Sequence, residues 1–338
     1  MQIKEYILAI ESSCDDTAAA VMDTDFNLLS TAVASQKIHA EYGGVVPELA
    51  SRAHQSNIIP TVDKAIRDSG LRKEDLSAVA FTCGPGLLGS LLVGAAFAKS
   101  FAVAIGRPLI CVNHLEAHVL AHFIKDKENA DCPQFPFLCL LVSGGNTQII
   151  FVKSAFDHDI IGRTIDDAAG EAIDKAAKIL SLPYPGGPQI EKLAMAGDDG
   201  FLKFGNAVIG GYDYSFSGLK TSILYTLRDK LKEDAAFIDM NKASIAASVQ
   251  KAVIDALMKK FELALKDTKV KTIAIAGGVS ANKLLQQRVK ELGERYGCKV
   301  FIPKLGYSTD NAAMVAAAAV FKYNEGAFSG LEVVPYTR

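Results

Sequence analysis

One order of elements occurs twice along this chain, and that repetition limits the folds open to it. Residues 6–10, 18–23 and 28–35 are short, small, β-branched and aliphatic segments separated by polar turns, the signature of three strands. A helical stretch follows over 46–69, then a strand at 78–82 running into Cys83-Gly84-Pro85-Gly86. Next come an apolar helix over 88–104, a strand at 109–112 and a helix carrying His114 and His118. Residues 125–136 are charged, hold two prolines and read as a linker or exposed loop. The order then restarts. Residues 137–142, 147–153 and 159–164 read as strands, 167–180 as a helix, and 272–276 as a strand closing in Gly277-Gly278. A helix, a short strand at 299–302 and an alanine-rich helix from Asp310 complete the second pass.

The two halves share this pattern without sharing sequence, and 338 residues suit two domains better than one core. Hairpin strands mixed with strand-helix-strand crossovers predict an α/β fold with layered sheets. Duplicated halves around a central cleft resemble the actin-like architecture of the Hsp70 and sugar-kinase superfamily. The expected boundaries are an N-terminal domain over 1–125, completed by the C-terminal helix, a second domain over 126–310, and a closing helix and tail over 311–338.

The longest apolar run, residues 87–98, is followed at once by Lys99 and is too short to span a bilayer, which predicts a buried helix. The N-terminus leads straight into a strand pattern without a secretory signal, so the expectation is a cytoplasmic protein with no membrane partner. Six cysteines without a Cys-x-x-Cys pair argue against a disulfide framework or a Cys-rich zinc site. The net charge of −2 gives nucleic-acid binding no support, so such a grip requires a local patch or a partner.

Several segments suit chemistry, and each also has a plain structural reading. His114-Leu-Glu-Ala-His118 places two imidazoles four apart on one helix face, within reach of a single metal ion. Two surface histidines on an amphipathic helix explain the pair equally well. In the zincin pattern the glutamate directly follows the first histidine; here Glu116 points to the other side, against a peptidase. Leu141-Val142-Ser143-Gly144-Gly145 leads into a tight turn between strands, where backbone N–H groups can surround phosphate oxygens or simply close a hairpin. Gly277-Gly278-Val279-Ser280-Ala281-Asn282 follows a strand and opens a helix that Ser280 can cap. Tyr184-Pro-Gly-Gly-Pro188 reads as a rigid turn with Glu191 one helical turn beyond, and Asp174 lies two turns into the helix over 167–180. Asp310 stands just ahead of the last helix, where it can serve as its N-cap. Glu11-Ser-Ser-Cys-Asp15-Asp16-Thr17 links two apolar strands; a glutamate and serines stand where an actin-like ATPase has glycine and aspartate.

Taken in order, these segments, with Gly43-Gly-Val-Val-Pro-Glu-Leu-Ala-Ser-Arg52, Asp166-Asp-Ala-Ala-Gly-Glu171 and Phe216-Ser-Gly-Leu-Lys-Thr221, resemble the bacterial branch of the tRNA N6-adenosine threonylcarbamoyltransferases. This family (TsaD) was formerly labelled O-sialoglycoprotein endopeptidase. One departure is Asn146 after Val-Ser-Gly-Gly, where the family has His, a change expected to alter a hydrogen bond near the loop. The resemblance implies transfer of a threonylcarbamoyl group from threonylcarbamoyl-AMP to N6 of adenosine 37 in tRNAs reading codons that begin with A, with release of AMP. It implies His114, His118 and Asp310 as ligands of one divalent metal, Fe2+ first and Zn2+ second. It places the adenylate against Leu141, Val142, Ser143, Gly144, Gly145, Asp174, Gly187, Glu191 and Asn282. Asp15 or Asp16 is expected to take the amine proton. Implied partners are the tRNA anticodon loop, the paralogous actin-like protein TsaB and the P-loop ATPase TsaE. A metal-dependent peptidase and a non-catalytic, actin-like nucleotide-binding protein stay open as alternatives.

Overall fold

The computed structural model describes residues 4–127, 131–206 and 209–337. In chain order the first elements are β1 (Tyr6–Glu11), β2 (Thr17–Asp23), β3 (Leu28–Ala34), α1 (Pro47–Asp68), β4 (Ala78–Gly84), α2 (Leu88–Ile105), β5 (Leu109–Asn113) and α3 (His114–Leu120). Then come β6 (Phe137–Val142), β7 (Thr147–Val152), β8 (His158–Arg163), α4 (Ala169–Ile179), α5 (Gly186–Ala194), α6 (Ser217–Glu233) and α7 (Phe237–Thr268). The chain closes with β9 (Thr272–Ala276), α8 (Lys283–Tyr296), β10 (Lys299–Phe301), α9 (Leu305–Ser308) and α10 (Ala312–Asn324).

Residues 1–133 with 303–338 form one compact unit, and residues 134–302 form the other. The sequence reading drew these crossings at 125/126 and 310/311. The return at Pro303 follows from Asp126, which takes Lys304 Nζ at 2.6 Å and the Tyr307 hydroxyl at 2.8 Å, drawing α9 into the first unit and Asp310 with it. Of the linker expected over 125–136, residues 128–130 lie outside the described residues.

Each unit holds a five-stranded sheet, in the order β3-β2-β1-β4-β5 in the first and β8-β7-β6-β9-β10 in the second. Within each, three antiparallel strands are extended by two parallel ones, β1 pairing with β4 and β6 with β9. The two sheets therefore have one topology written twice, as the repeated element order predicts. Strands β2, β4, β6 and β9 are buried at every residue, and that explains their largely apolar sequences. Leu8, Ile10, Val79 and Phe81 anchor the first core, and Leu138, Leu140, Ile149 and Phe261 the second. Each such side chain contributes about 1.5–3 kcal/mol on burial. Helix α10 is buried at every residue from Ala312 to Val320, and its alanines let it lie close against β1 and β2.

Three expectations change. The apolar helix α2 runs over the length expected, with the Lys99 ammonium on the Val333 carbonyl at 2.5 Å, but only one side is buried: Leu88, Leu92 and Val103 are 47%, 47% and 61% exposed. By length and composition it is the one helix among the described residues able to cross a bilayer, yet here it packs on β4 and α1. Second, Gly186-Gly187-Pro188 opens α5 instead of forming only a turn, because Asp174 on α4 accepts from Gly186 N at 2.8 Å and caps that helix. Third, neither Asp310 nor Ser280 is a helix cap. Asn311 caps α10 through Met314 N at 2.9 Å, and Asn282 caps α8 through Leu285 N at 3.1 Å.

Candidate metal centre and nucleotide ring

Capping by Asn311 leaves the Asp310 carboxylate outside α10 and turned toward α3. There Asp310 Oδ1 lies 3.2 Å from His118 Nε2 and 3.4 Å from His114 Nε2. The two imidazoles stand edge to face with ring centres 4.7 Å apart. One nitrogen from each and one carboxylate oxygen lie within 4.8 Å of one another. Ligands held about 2.1 Å from a single ion sit roughly 3.0–3.4 Å apart, so the two N···O separations suit shared coordination.

The surroundings support the same fit. His114 Nδ1 lies 3.2 Å from Glu11 Oε2, and Glu11 is completely buried at the end of β1. Its other contacts are the Ser13 backbone N–H, a short bond, and the Thr82 hydroxyl at 2.5 Å. Burial works against the Glu11 charge, but His114 outweighs it and Glu11 sits below its usual pKa. An ionised Glu11 can only accept, so His114 Nδ1 donates to it and Nε2 is turned toward Asp310, the carboxylate–histidine arrangement of metal sites. Burial pushes the His114 imidazole down, and Asp310 and Glu11 more than reverse that, holding it up at about 10. Asp310 is held far below the carboxylate range despite its burial, because both histidines face it. The Nε2 proton of His114 is the one a divalent ion would replace if held there. His118 Nδ1 is buried and has no hydrogen-bond partner among the described residues. The donor set of two imidazoles and a carboxylate fits one divalent ion with positions to spare.

Glu116 is not in this group. Asp15 and Asp16 lie in the β1–β2 link, which His54 of α1 braces through the Cys14 carbonyl at 3.0 Å and the Thr17 hydroxyl at 2.8 Å. Burial raises the Asp16 pKa; a Ser35 hydrogen bond opposes this, and the charges of Asp15, Asp310 and Glu11 add to it.

In the second unit the expected adenylate-binding residues form a closed ring at one end of the sheet. Leu141 and Val142 end β6, and the turn Ser143-Gly144-Gly145-Asn146 closes through Ser143 N to Asn146 O at 2.8 Å and Asn146 N to Ser143 Oγ at 3.1 Å. Both bonds use the main chain of Asn146, so the turn closes the same way whichever side chain stands there. Gly170 of α4 packs so closely that a Cβ would lie 2.5 Å from Ser143 O. Asp174 of α4 binds Gly186 N at the start of α5. Glu191 of α5 accepts from Lys283 N at 2.8 Å, at the start of α8. Asn282 caps α8 and donates to Gln250 Oε1 at 3.0 Å. Gly277 closes the ring, with φ +83°, where a Cβ would meet Val142 O at 2.5 Å. Burial raises the Asp174 pKa, against the pull of the Gly186 and Gly187 N–H groups. By contrast, nothing lies within 4 Å of a Cβ built on Gly144, Gly145 or Gly187, so the ring presents bare backbone to open space there.

Sequence reasoning passed over Glu11, Thr82, Gly170 and Gly277 as members of these sites. A glutamate ending an otherwise apolar strand was the available signal for Glu11. Gly277 stands in a glycine pair closing a strand, which the sequence marks, while Gly170 leaves no local signature because its close contact is made with distant backbone.

The chain matches the TsaD family, described as tRNA N6-adenosine threonylcarbamoyltransferase, over residues 27–317. It is 58% identical to the tRNA N6-adenosine threonylcarbamoyltransferase of Porphyromonas gingivalis, over 98% of this chain and 97% of the relative. The protein of the same name from Phocaeicola vulgatus is 56% identical, covering 98% of each. Among solved structures, HypF of T. kodakarensis superposes with TM-score 0.63 at 16% identity, over 96% of this chain and 48% of that one. Component A of the Acidaminococcus fermentans (R)-2-hydroxyglutaryl-CoA dehydratase superposes with TM-score 0.55 at 15% identity, over 95% and 99%. These likenesses give the fold, the actin-like ATPase type in α/β form.

Proposed function

Because this chain belongs to the tRNA N6-adenosine threonylcarbamoyltransferase family, an acyltransferase family acting on tRNA, we propose that it does so with the two sites described above. Transfer to N6 of adenosine in tRNA is its activity; a peptidase and a non-catalytic binding protein are not favoured. The donor is threonylcarbamoyl-AMP, a mixed anhydride already activated for attack. The acceptor amine is weakly nucleophilic because its lone pair is delocalised into the adenine ring. Positioning and charge stabilisation therefore carry the catalysis, and no covalent enzyme intermediate is required.

The adenylate of the donor takes the ring in the second unit. The Ser143-Gly144-Gly145 turn surrounds its phosphate, Asp174 and Glu191 face the ribose hydroxyls, and Gly187 and Asn282 border the nucleoside. His114, His118 and Asp310 hold the divalent ion, Fe2+ first and Zn2+ second on the two-histidine, one-carboxylate donor set. When bound, that ion would supply a positive charge that stabilises negative charge developing on oxygen. Glu11 fixes the His114 ring so that its Nε2 stays aimed at the site. Asp15 or Asp16 accepts the amine proton, and burial raises the pKa of Asp16 above its ordinary value. The tRNA adenosine leaves its stack to react. With a net charge of −2 the isolated chain has little counterion-release drive toward tRNA, so we assign that grip to an assembly with the paralogue TsaB and the ATPase TsaE.

The observation carrying the donor reading is the open backbone at Gly144, Gly145 and Gly187 inside an otherwise crowded ring. Gly187→Val adds a side chain whose Cβ meets no protein atom within 4 Å, so the unfolding free energy is expected to stay within about 0.5 kcal/mol of the parent. AMP affinity by calorimetry is expected to fall about tenfold or more, since the added methyls stand where the nucleotide approaches. Unchanged AMP binding would remove Gly187 from the donor site.

A further inference from the structure

The metal-binding helix has only seven residues, too few for its own hydrogen bonds to fix its direction. Its orientation depends on its first residues, and those are tied to a distant segment. Asn113 Oδ1 accepts from Leu115 N at 2.8 Å and Glu116 N at 3.0 Å, capping α3 directly ahead of His114. The other end of the same amide, Nδ2, donates to the Tyr336 hydroxyl at 2.8 Å. That acceptor sets which way the amide faces, keeping the oxygen on the helix.

Tyr336 is itself held by a strap crossing the first unit. Ser329 N donates to Leu109 O at 2.8 Å, and Ser329 Oγ accepts from Cys111 N at 3.0 Å on β5. Lys99 of α2 holds the Val333 carbonyl at 2.5 Å, Cys83 Sγ reaches Val334 O at 3.6 Å, and Tyr336 N donates to Cys83 O at 2.9 Å. Gly84 permits the crossing, because a Cβ there would lie 2.2 Å from Tyr336 O.

We propose that Tyr336 and Asn113 are positioning residues for the metal site, with the strap over residues 329–336 setting the direction of α3 and so the separation of its histidine nitrogens from Asp310. This rests on the reading of His114, His118 and Asp310 as ligands, and the test separates the two. The full chain is loaded with Co2+, whose visible absorption reports ligand geometry, and dissociation constants are measured for the parent, Tyr336→Phe, Asn113→Ala and the double variant, with His118→Ala as control. Tyr336→Phe is expected to bind Co2+ about threefold to tenfold more weakly with an altered visible band, while its thermal midpoint holds. Asn113→Ala is expected to weaken binding further, and the double variant to match Asn113→Ala alone, because the hydroxyl acts only through the amide. Parent-like affinity and spectrum in Tyr336→Phe, or additive losses in the double variant, would overturn the relay. Full Co2+ binding by His118→Ala would instead overturn the metal site itself. If Asn113→Ala does not fold, the conservative Tyr336→Phe decides alone.

Discussion

His118→Ala is expected to strip the divalent ion from the protein and to slow threonylcarbamoyl transfer by about 100-fold or more, since loss of outer-shell partners alone costs 10–100-fold. The removed nitrogen is one of three candidate ligand atoms, 3.2 Å from Asp310 Oδ1. Two donors, His114 and Asp310, do not hold an ion as three do. Their mutual ion pair is expected to re-form, since Asp310 and Glu11 keep the His114 imidazole charged until a metal replaces its proton. The fold should persist, because His118 Nδ1 has no hydrogen-bond partner to lose among the described residues and α10 is buried from Ala312 to Val320 against β1 and β2 as well as α3. Elemental analysis after size-exclusion chromatography, alongside circular dichroism and a transfer assay, measures all three. Full metal stoichiometry in the variant would remove His118 from the ligand set.

Gly277→Ala is the second change with a large expected effect, and it acts on the other unit. Gly277 has φ +83° and ψ 167°, a region open essentially to glycine alone, and the added Cβ would meet Val142 O at 2.5 Å. Backbone strain of this kind costs about 1–3 kcal/mol before the clash is counted. Relief requires β9 to move from the end of β6, and that opens the ring at the Ser143-Gly144-Gly145 turn. Unfolding of the variant is expected at clearly lower denaturant, with AMP binding lost as well. Gly187→Val separates the two effects, with stability kept and AMP binding weakened. A Gly277→Ala protein with parent stability would show that the close contact with Val142 is not rigid.

Strands β2, β4, β6 and β9 are legible in the sequence because they are buried at every residue, so largely apolar runs and turn residues mark them without help from periodicity. The helices of the second unit between α4 and β9 are much less so. The opening of α5 reads as a turn because its capping carboxylate, Asp174, lies 12 residues away on another helix. Asp310 and Asn311 are both good cap residues, and local sequence cannot choose between them. Packing chooses, and the choice frees Asp310 for α3. The pairing of His114 with His118 follows from helix spacing, whereas the meeting with Asp310, 192 residues beyond His118, has no local signature and is carried by family resemblance alone. Nucleotide-ring residues such as Glu191 and Asn282 are polar groups at helix ends. Their local tasks hide any other, and only the resemblance singles them out.

The most direct test is transfer itself. Purified protein, supplied with the proposed partners TsaB and TsaE, is incubated with the proposed donor threonylcarbamoyl-AMP and unmodified tRNA, and the digested nucleosides are weighed by mass spectrometry. The account predicts an adenosine heavier by one threonylcarbamoyl group, formed in proportion to the AMP released and absent when this chain is omitted. Release of AMP with no modified adenosine, or equal modification without this chain, would contradict it.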